Sequence, residues 1–284
     1  MEEKKLPQPL ISHPYFKDKN PFQRLSFCVY MDILGFTDEI IATTSPEDEQ
    51  DLLNRLYSAL QVGGTWMKPK VYELESDFGL AWIAKIFTDN IVLGYPIQSG
   101  DGESEFGAVI QKLSYYQLTM ALEGFFVRGG FSVGQLFVGD DVVYGKALLE
   151  SYKIENSIAS NPRVVLSKEV MELVSQHLKY YGNPKHSPHY SDILIDSDNQ
   201  PFVNYLANTV GDGAVDAGIL DRHKEKIETN LKRHESNPKI WSKYLWVANY
   251  HNYFCHLVEE LDGFNEALFV DEKLAVQKPK RLVE

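Results

Sequence analysis

Apolar residues along the chain form short runs and helical repeats that predict a mixture of strands and helices. The run LSFCVYMDILGF (25–36) is nearly continuous and rich in β-branched and aromatic residues, which indicates a buried strand. Apolar residues then recur at helical spacing after Ser45, a residue typical of a helix N-cap. Two strand-like halves of 79–96 meet at a polar centre, which predicts a hairpin with Asp89 at its tip.

The alternation of strands and helices continues through the middle of the chain. The pattern predicts a helix over 104–123, strands over 125–145 with a turn at Gly134, a helix over 147–159, a strand over 162–166 and a helix from Ser167. This order favours an α+β fold, in which an antiparallel sheet carries helices on one face.

The last third of the chain has a different character. Residues 176–192 are rich in His, Tyr, Asn and Pro and predict an exposed connection, after which ILIDSDNQPFVNYL reads as a β-hairpin. Helices are expected from Ala217 and from Pro238, the second with a heavy aromatic stripe. We therefore divide the chain into an irregular lead-in (1–24), a core that carries the chemistry (25–175) and a C-terminal extension that packs on it (176–284).

Composition limits the classes of function. The chain has 284 residues, of which 44% are hydrophobic and 24% charged, as in a globular protein. The net charge of -12 argues against nonspecific nucleic-acid binding. The start MEEKKLPQPL has no signal-peptide pattern, and no apolar run approaches the ~20 residues of a membrane span. Cys28 and Cys255 are expected to be buried thiols, so we predict a cytoplasmic protein without a membrane partner.

Two acidic residues stand at positions that favour chemistry. Asp32 ends one apolar strand and Asp89 ends another. A carboxylate at such a depth is costly unless it is paired or binds a metal ion, and two on neighbouring strands can share divalent cations. The alternative is that each acid only caps its strand.

Several segments resemble the motifs of class III nucleotide cyclases. Residues 32–37 (DILGFT) resemble D-I-x-G-F-T, and residues 85–89 (KIFTD) are similar to K-x-x-G-D with Thr88 in place of glycine. Residues 128–134 (RGGFSVG) resemble the R-x-G-I-x-x-G strand, and 145–155 (GKALLESYKIE) match the spacing of the last helix. The motifs occur in the family's order.

The resemblance implies a ferredoxin-like palm core and a metal-dependent reaction. It implies that Asp32, Asp89 and the backbone carbonyl of Ile33 hold two Mg²⁺ or Mn²⁺ ions. Backbone N–H groups would contact the substrate phosphates from a short loop, namely Leu34, Gly35, Phe36 and Thr37. The enzyme would work as a homodimer with its sites at the interface.

Some positions depart from the family pattern. Leu149 and Lys153 replace the asparagine and arginine that steady the transition state in the family. Lys153 and Arg128 are candidate phosphate-binding cations, although both could be surface or strand-edge cations and Arg128 could instead orient an acid. Val142 falls near the position of the acid that reads adenine, and its side chain cannot hydrogen-bond a base.

Base contact is assigned to two further residues. Lys85 occupies the base-facing position of the family, and Tyr57 lies on the first long helix, where it could stack on a pyrimidine. The alternative for Tyr57 is a core residue at helical spacing.

With its degenerate last helix and its C-terminal extension (KYLWVANYHNYFC, 243–255), the chain resembles the pyrimidine cyclases of the bacterial anti-phage (Pycsar) system. That resemblance implies conversion of UTP or CTP to the 3′,5′-cyclic monophosphate and pyrophosphate, as a signal for a separate effector protein. Two alternatives stay open: an adenylate or guanylate cyclase with unfamiliar base contacts, and a cyclase-like module that binds nucleotide without turnover.

Overall fold

The computed structural model describes most of the chain, namely residues 13–67, 83–98, 100–270 and 279–282, without side chains at 64–67. Parts of three predicted segments lie outside the described residues: 1–12 of the lead-in, 79–82 of the hairpin segment, and 271–278 and 283–284 of the C-terminal extension.

The strands are β1 (Phe16–Lys17), β2 (Asn20–Pro21), β3 (Arg24–Ile33), β4 (Ile83–Phe87), β5 (Asn90–Pro96), β6 (Val127–Val138), β7 (Val143–Tyr144), β8 (Val164–Leu166), β9 (Ile193–Ile195), β10 (Pro201–Val203), β11 (Val210–Gly211), β12 (Ala214–Val215) and β13 (Lys280–Arg281). The helices are α1 (Phe36–Ile41), α2 (Pro46–Met67), α3 (Glu103–Leu122), α4 (Lys146–Ser157), α5 (Lys168–His177), α6 (His189–Asp192), α7 (Ala217–Arg233) and α8 (Pro238–Val258). None of these helices is both long and apolar enough to cross a lipid bilayer.

A mixed sheet dominates the described part of the chain. Eight of its nine strands follow the order β13-β9-β10-β8-β6-β3-β5-β4, and β7 pairs with the end of β6. The paired strands are antiparallel except for β6 and β8, which run parallel because helix α4 connects them as a crossover. The α+β class is confirmed, while the sheet is mixed rather than antiparallel throughout.

One face of the sheet is strongly apolar and carries three helices. Alternate residues of β3 (Phe27, Val29, Met31 and Ile33) point to this face and are buried. They join a core with the apolar sides of α2, α3 and α5. Helix α2 begins as predicted, with Ser45 Oγ accepting a hydrogen bond from the backbone N–H of Asp48 at 3.1 Å.

The opposite face carries helix α4, so the prediction of helices on one face only is wrong. Small residues make room for this helix: the Cys28 thiol contacts the Ser151 hydroxyl at 3.4 Å, and the Ser132 hydroxyl donates to the carbonyl of Ala147. A Cβ atom at Gly130 would lie 2.1 Å from the carbonyl oxygen of Ser151. Glycine in β6 therefore permits a close approach of helix to strand.

The predicted turn at Gly134 is also wrong. Strand β6 runs through this residue without interruption, and Gly134 pairs with Ser26 of β3. The chain turns later, at Gly139-Asp140-Asp141-Val142, before it enters β7. A Cβ atom at position 134 would make ordinary van der Waals contacts with Ala147 of α4, at 3.5–3.7 Å, so neither a turn nor close packing requires glycine here.

The C-terminal third continues the fold of the core. Hairpin β9–β10 occurs as predicted, and its strand β10 pairs with β8, so it widens the same sheet. Helices α7 and α8 also begin as predicted and form a second core against the far side of α3. The connection at 176–192 is less exposed than expected, since His189 is buried there.

A fully buried arginine connects three parts of the fold: strand β8, the β9–β10 hairpin and helix α8. Arg163, just before β8, is paired with Asp196 and Asp198 at the tip of the β9–β10 hairpin. Trp246 of α8 donates from Nε1 to Oδ2 of Asp196 at 2.7 Å. The cluster fixes the hairpin and α8 to the core strand.

The described part of the lead-in is ordered, which differs from the irregular segment that was predicted. Strands β1 and β2 form a small hairpin, and Tyr15 before it is buried with its hydroxyl 3.0 Å from the Ser26 hydroxyl. Both cysteines are free and buried, as expected.

Candidate functional site

The end of β3 places Asp32 between two neighbouring strands. Asp32 lies opposite Asn90 of β5 on one side and opposite Arg128 of β6 on the other. Its side chain points to the face of the sheet that carries α4, because it alternates with the buried residues Met31 and Ile33. The carboxyl group is 19% exposed.

Asp89 lies in the tight turn between β4 and β5, as predicted. The flanking residues Phe87 and Asn90 are paired, and Thr88 adopts a φ of 56°, in the left-handed region, at the position where the K-x-x-G-D motif has glycine. One oxygen of the Asp89 carboxyl accepts hydrogen bonds from the Thr88 hydroxyl at 2.7 Å and the Asn90 amide at 3.1 Å. These contacts orient Asp89, and its carboxyl shares a side-chain hydrogen bond with Asp32.

The charges around Asp32 do not balance. Arg128 donates from Nη2 (3.1 Å) and Nε (3.3 Å) to Oδ2 of Asp32, and its Nη2 also lies 2.8 Å from Oε1 of Glu155 on α4. One guanidinium group therefore serves two carboxyl groups, those of Asp32 and Glu155, while Asp89 lies beside Asp32. Burial and the hydrogen bond with Asp89 raise the pKa of Asp32 to about 6, although Arg128 opposes the shift. Burial also raises the pKa of Glu155.

This excess of carboxyl groups fits a divalent cation. Within the described residues, no three His, Cys, Asp or Glu side chains are close enough together to hold a metal ion. A pair is sufficient for Mg²⁺, which keeps several waters and binds through one or two carboxylates and substrate phosphates. Burial is the largest cause of the raised pKa of Asp32, and a bound cation would oppose that shift by favouring the ionised carboxylate.

The predicted phosphate-binding loop begins directly after Asp32. Ile33 and Leu34 bury their side chains, and the backbone N–H of Leu34 already donates to the carbonyl of Phe126 at 2.8 Å. Gly35 has a φ of 72° and starts the short helix α1. Phe36 packs partly against the core and Thr37 is exposed.

Three other predicted positions lie on exposed helix surfaces. Leu149 and Lys153 of α4 have side chains that are largely exposed, and the nearest carboxylate to Lys153 is Glu150, at 4.0 Å. Tyr57 of α2 is 63% exposed, which excludes its alternative interpretation as a core residue.

Lys85 lies on β4, on the same sheet face as Asp32. The register joins Lys85 to Val92, and Val92 to Tyr30, which lies two residues before Asp32. Lys85 Nζ is 3.3 Å from Oδ1 of Asp140, so a donor and an acceptor stand side by side. A pocket of about 720 Å³ reaches Asp140 from the aromatic side chains Phe16, Phe137 and Tyr144.

Several residues of the site were not assigned from the sequence. The hydroxyl group of Tyr30 donates to Oδ1 of Asn90 at 2.5 Å, and its ring meets Tyr152 edge-on at 5.3 Å. Glu155 is the last residue of the motif at 145–155, so the motif could have identified it as a site residue. Lys243, on the C-terminal helix α8, acts electrostatically on Glu155, and nothing in its local sequence points to the site.

Comparison with known proteins gives limited information. No family model and no curated protein sequence matches this chain. Among solved structures, a class III adenylyl cyclase-like ATP-binding protein from Pseudomonas aeruginosa is 13% identical with a TM-score of 0.41, over 55% of this chain and 37% of that chain. The guanylyl cyclase Cya2 is 15% identical with a TM-score of 0.37, over 53% of this chain and 78% of that chain. With TM-scores under 0.5, neither likeness establishes the fold or the activity of this chain.

Proposed function

We propose that this protein is a nucleotide cyclase that uses divalent cations to convert UTP or CTP to the 3′,5′-cyclic monophosphate and pyrophosphate. The observation that carries the proposal is the convergence of the Asp32 and Asp89 carboxyl groups beside Arg128. The motif resemblance at residues 32–37, 85–89 and 128–134 supports the same reaction.

In the proposed reaction, the ribose 3′-oxygen attacks the α-phosphorus, its proton passes to water and pyrophosphate leaves. Asp32 and Asp89 would hold two Mg²⁺ or Mn²⁺ ions, together with the backbone carbonyl of Ile33. When bound, such ions lower the pKa of the 3′-hydroxyl and neutralise the phosphates. Arg128 holds Asp32 in place and keeps its pKa from rising further, which corresponds to the orienting role considered for it.

Substrate contacts are proposed for the flanking residues. Gly35, Phe36 and Thr37 offer backbone N–H groups at the start of α1. Lys85 lies four residues before Asp89, roughly 13 Å along the strand. With Asp140 it presents a donor and an acceptor that suit the edge of a base. Tyr57 is exposed, but α2 packs on the face of the sheet opposite to Asp32 and Lys85, so we do not assign it to the base.

We further propose a homodimer and a signalling role. Apolar side chains are exposed near the site, with Phe87 beside Asp89 and with Leu149 and Tyr152 on α4. Exposed apolar groups of this kind suit an interface between subunits, which would bring Lys153 to the partner's phosphates. The cyclic product would act through a separate effector protein in defence against phage.

The test is incubation of the purified chain with each of the four nucleoside triphosphates and Mn²⁺, with product identification by mass. We expect a cyclic pyrimidine product, and loss of turnover by roughly 10²–10³-fold in Asp89→Asn. Asp212→Asn is the matched control, since Asp212 is an exposed residue in another tight turn, with a φ of 51°.

Other outcomes decide between the alternatives. A cyclic purine product would replace the pyrimidine assignment with an adenylate or guanylate cyclase. Nucleotide binding without pyrophosphate release would favour the non-catalytic module, which the exposed Leu149 and Lys153 motivate. Equal turnover in Asp89→Asn and wild type would remove the metal argument.

A further inference from the structure

A short series of hydrogen bonds links strand β3 to the turn that carries Asp89. The hydroxyl group of Tyr30 donates to Oδ1 of Asn90 at 2.5 Å, and Nδ2 of Asn90 donates to Oδ1 of Asp89 at 3.1 Å. Tyr30 lies two residues before Asp32 on β3, and the register places Asn90 directly opposite Asp32. The side chains of Tyr30, Asp32 and Asn90 therefore lie on the same face of the sheet.

One orientation of the Asn90 amide group satisfies both of its neighbours. A phenol keeps its proton near neutral pH, so the hydroxyl group of Tyr30 favours an oxygen atom opposite it. An ionised carboxylate can only accept hydrogen bonds, so Asp89 needs the NH₂ group. Rotation of the amide group by half a turn would place its oxygen atom against the carboxylate and would break that hydrogen bond. Tyr30 therefore selects the orientation of Asn90 that serves Asp89.

The direction of the Asp89 carboxyl group depends on Asn90 more than on the neighbouring threonine. The hydroxyl group of Thr88 lies 2.7 Å from Oδ1 of Asp89, but it also lies 2.6 Å from the carbonyl oxygen of Phe87. A hydroxyl group has one proton and cannot donate to both acceptors at once. The NH₂ group of Asn90 has two protons, so it can donate to Oδ1 of Asp89 without this competition.

We propose that Tyr30 and Asn90 are positioning residues that hold the carboxyl group of Asp89 for a divalent cation. The inference rests on the proposed cation site and deepens it, because it names side chains that set the cation affinity of Asp89. Hydrogen bonds of this kind orient metal-binding groups in proteins, and their loss typically lowers metal affinity about ten- to a hundredfold. Since Tyr30 and Asp32 lie on one strand, the same contacts tie the turn of Asp89 to the strand of the other carboxylate.

The test measures the Mn²⁺ affinity of the full chain by calorimetry at pH 7.5, without nucleotide. We expect Tyr30→Phe and Asn90→Ala each to weaken Mn²⁺ binding roughly tenfold. Because Tyr30 acts through Asn90, the variant with both changes should also lose roughly tenfold in affinity and not roughly a hundredfold. Tyr253→Phe is the matched control and should bind as wild type does, since Tyr253 is a partly buried tyrosine of α8 outside the site.

Turnover gives a second readout. Saturating Mn²⁺ should restore the turnover of Tyr30→Phe to near the wild-type rate, because a positioning residue does not contact the nucleotide. A rate that stays low at saturating Mn²⁺ would contradict the positioning role.

The outcomes separate this inference from the proposed function. If wild type binds no Mn²⁺, or binds it no more tightly than Asp89→Asn does, the cation site and the inference fall together. If only Asp89→Asn loses affinity, while Tyr30→Phe and Asn90→Ala bind Mn²⁺ as tightly as Tyr253→Phe does, the positioning role alone is overturned. A lower melting temperature with unchanged affinity would also overturn it, and Asn90→Ser repeats the measurement should Asn90→Ala fold poorly.

Discussion

Two arginines in this protein hold carboxylates, and their surroundings differ. Arg163 is fully buried, and two acids, Asp196 and Asp198, serve its one guanidinium group, with Trp246 as a further donor to Asp196. Arg128 is a quarter exposed, and its single charge is shared by Asp32 and Glu155. The chemistry is the same, but the arginine of the first cluster is enclosed by the protein, whereas the arginine of the second is partly open to solvent.

The pKa values of the carboxyl groups show what the difference means. Burial alone would raise the pKa of Asp198, yet hydrogen bonds from Arg163 and from the backbone N–H of Gln200 bring it below its usual value. Beside Arg128, burial and Asp89 prevail, and the pKa of Asp32 rises to about 6. In the first cluster the chain itself stabilises the ionised carboxylate, whereas in the second a bound cation would favour ionisation of Asp32.

The largest effect on stability is expected at the enclosed cluster. Arg163→Met leaves Asp196 buried without its partner, which costs about 3–5 kcal/mol of unfolding free energy. Arg128→Met, the matched change at the open cluster, should cost about 1 kcal/mol, because Asp32 and Glu155 already have raised pKa values and can take up protons. Urea denaturation measures both, and equal losses would contradict the distinction between the clusters.

Cation binding at the open cluster should depend on pH. Asp32 must be ionised to hold a divalent cation, and its pKa is about 6, so Mn²⁺ affinity should fall up to about tenfold per pH unit below that value. Calorimetric Mn²⁺ titrations between pH 5 and pH 8 measure this, with Asp32→Asn as the variant that lacks the dependence. A constant affinity across this range would show that Asp32 is not a ligand.

The smallest effect is a gain in stability at the site. A carboxyl group whose pKa is higher in the folded protein than in the unfolded chain lowers the free energy of unfolding when it ionises. The loss of stability from Asp32 is therefore complete above pH 6 and absent below about pH 4. Asp89→Asn removes one cause of that shift and should stabilise the protein by roughly 1 kcal/mol at pH 7.5.

Thermal unfolding of Asp89→Asn at pH 7.5 and at pH 4 checks this expectation. The gain should disappear at the lower pH, and Asp212→Asn should show none at either. Destabilisation by Asp89→Asn at pH 7.5 would mean that the two acids support the fold instead of straining it.

The sequence was informative where the signal was local. Five predicted features depend on neighbouring residues alone, and the structure has them as predicted. They are the strand that contains Asp32, the turn at Asp89 and the helix starts at Ser45, Ser167 and Pro238. The convergence of the two carboxyl groups followed from the assumption that their strands are adjacent.

The rest depended on tertiary contacts that a single sequence does not display. Gly134 gave the same signal as a turn glycine, although it lies inside the uninterrupted strand β6. Small residues such as Cys28 and Gly130 allow α4 to pack on the second face of the sheet. Small residues are harder to recognise in a sequence than a stripe of large apolar residues, so this packing was not predicted.

The pairing of β8 with β10 has a consequence for biosynthesis. When a ribosome has released only the first 190 residues, β8 has an open edge and Arg163 has no carboxylate beside it. Domains generally fold as units during synthesis, and here the unit includes the hairpin. The core that carries Asp32 and Asp89 therefore reaches its full set of strand pairs and ion pairs only after the C-terminal third has been synthesised.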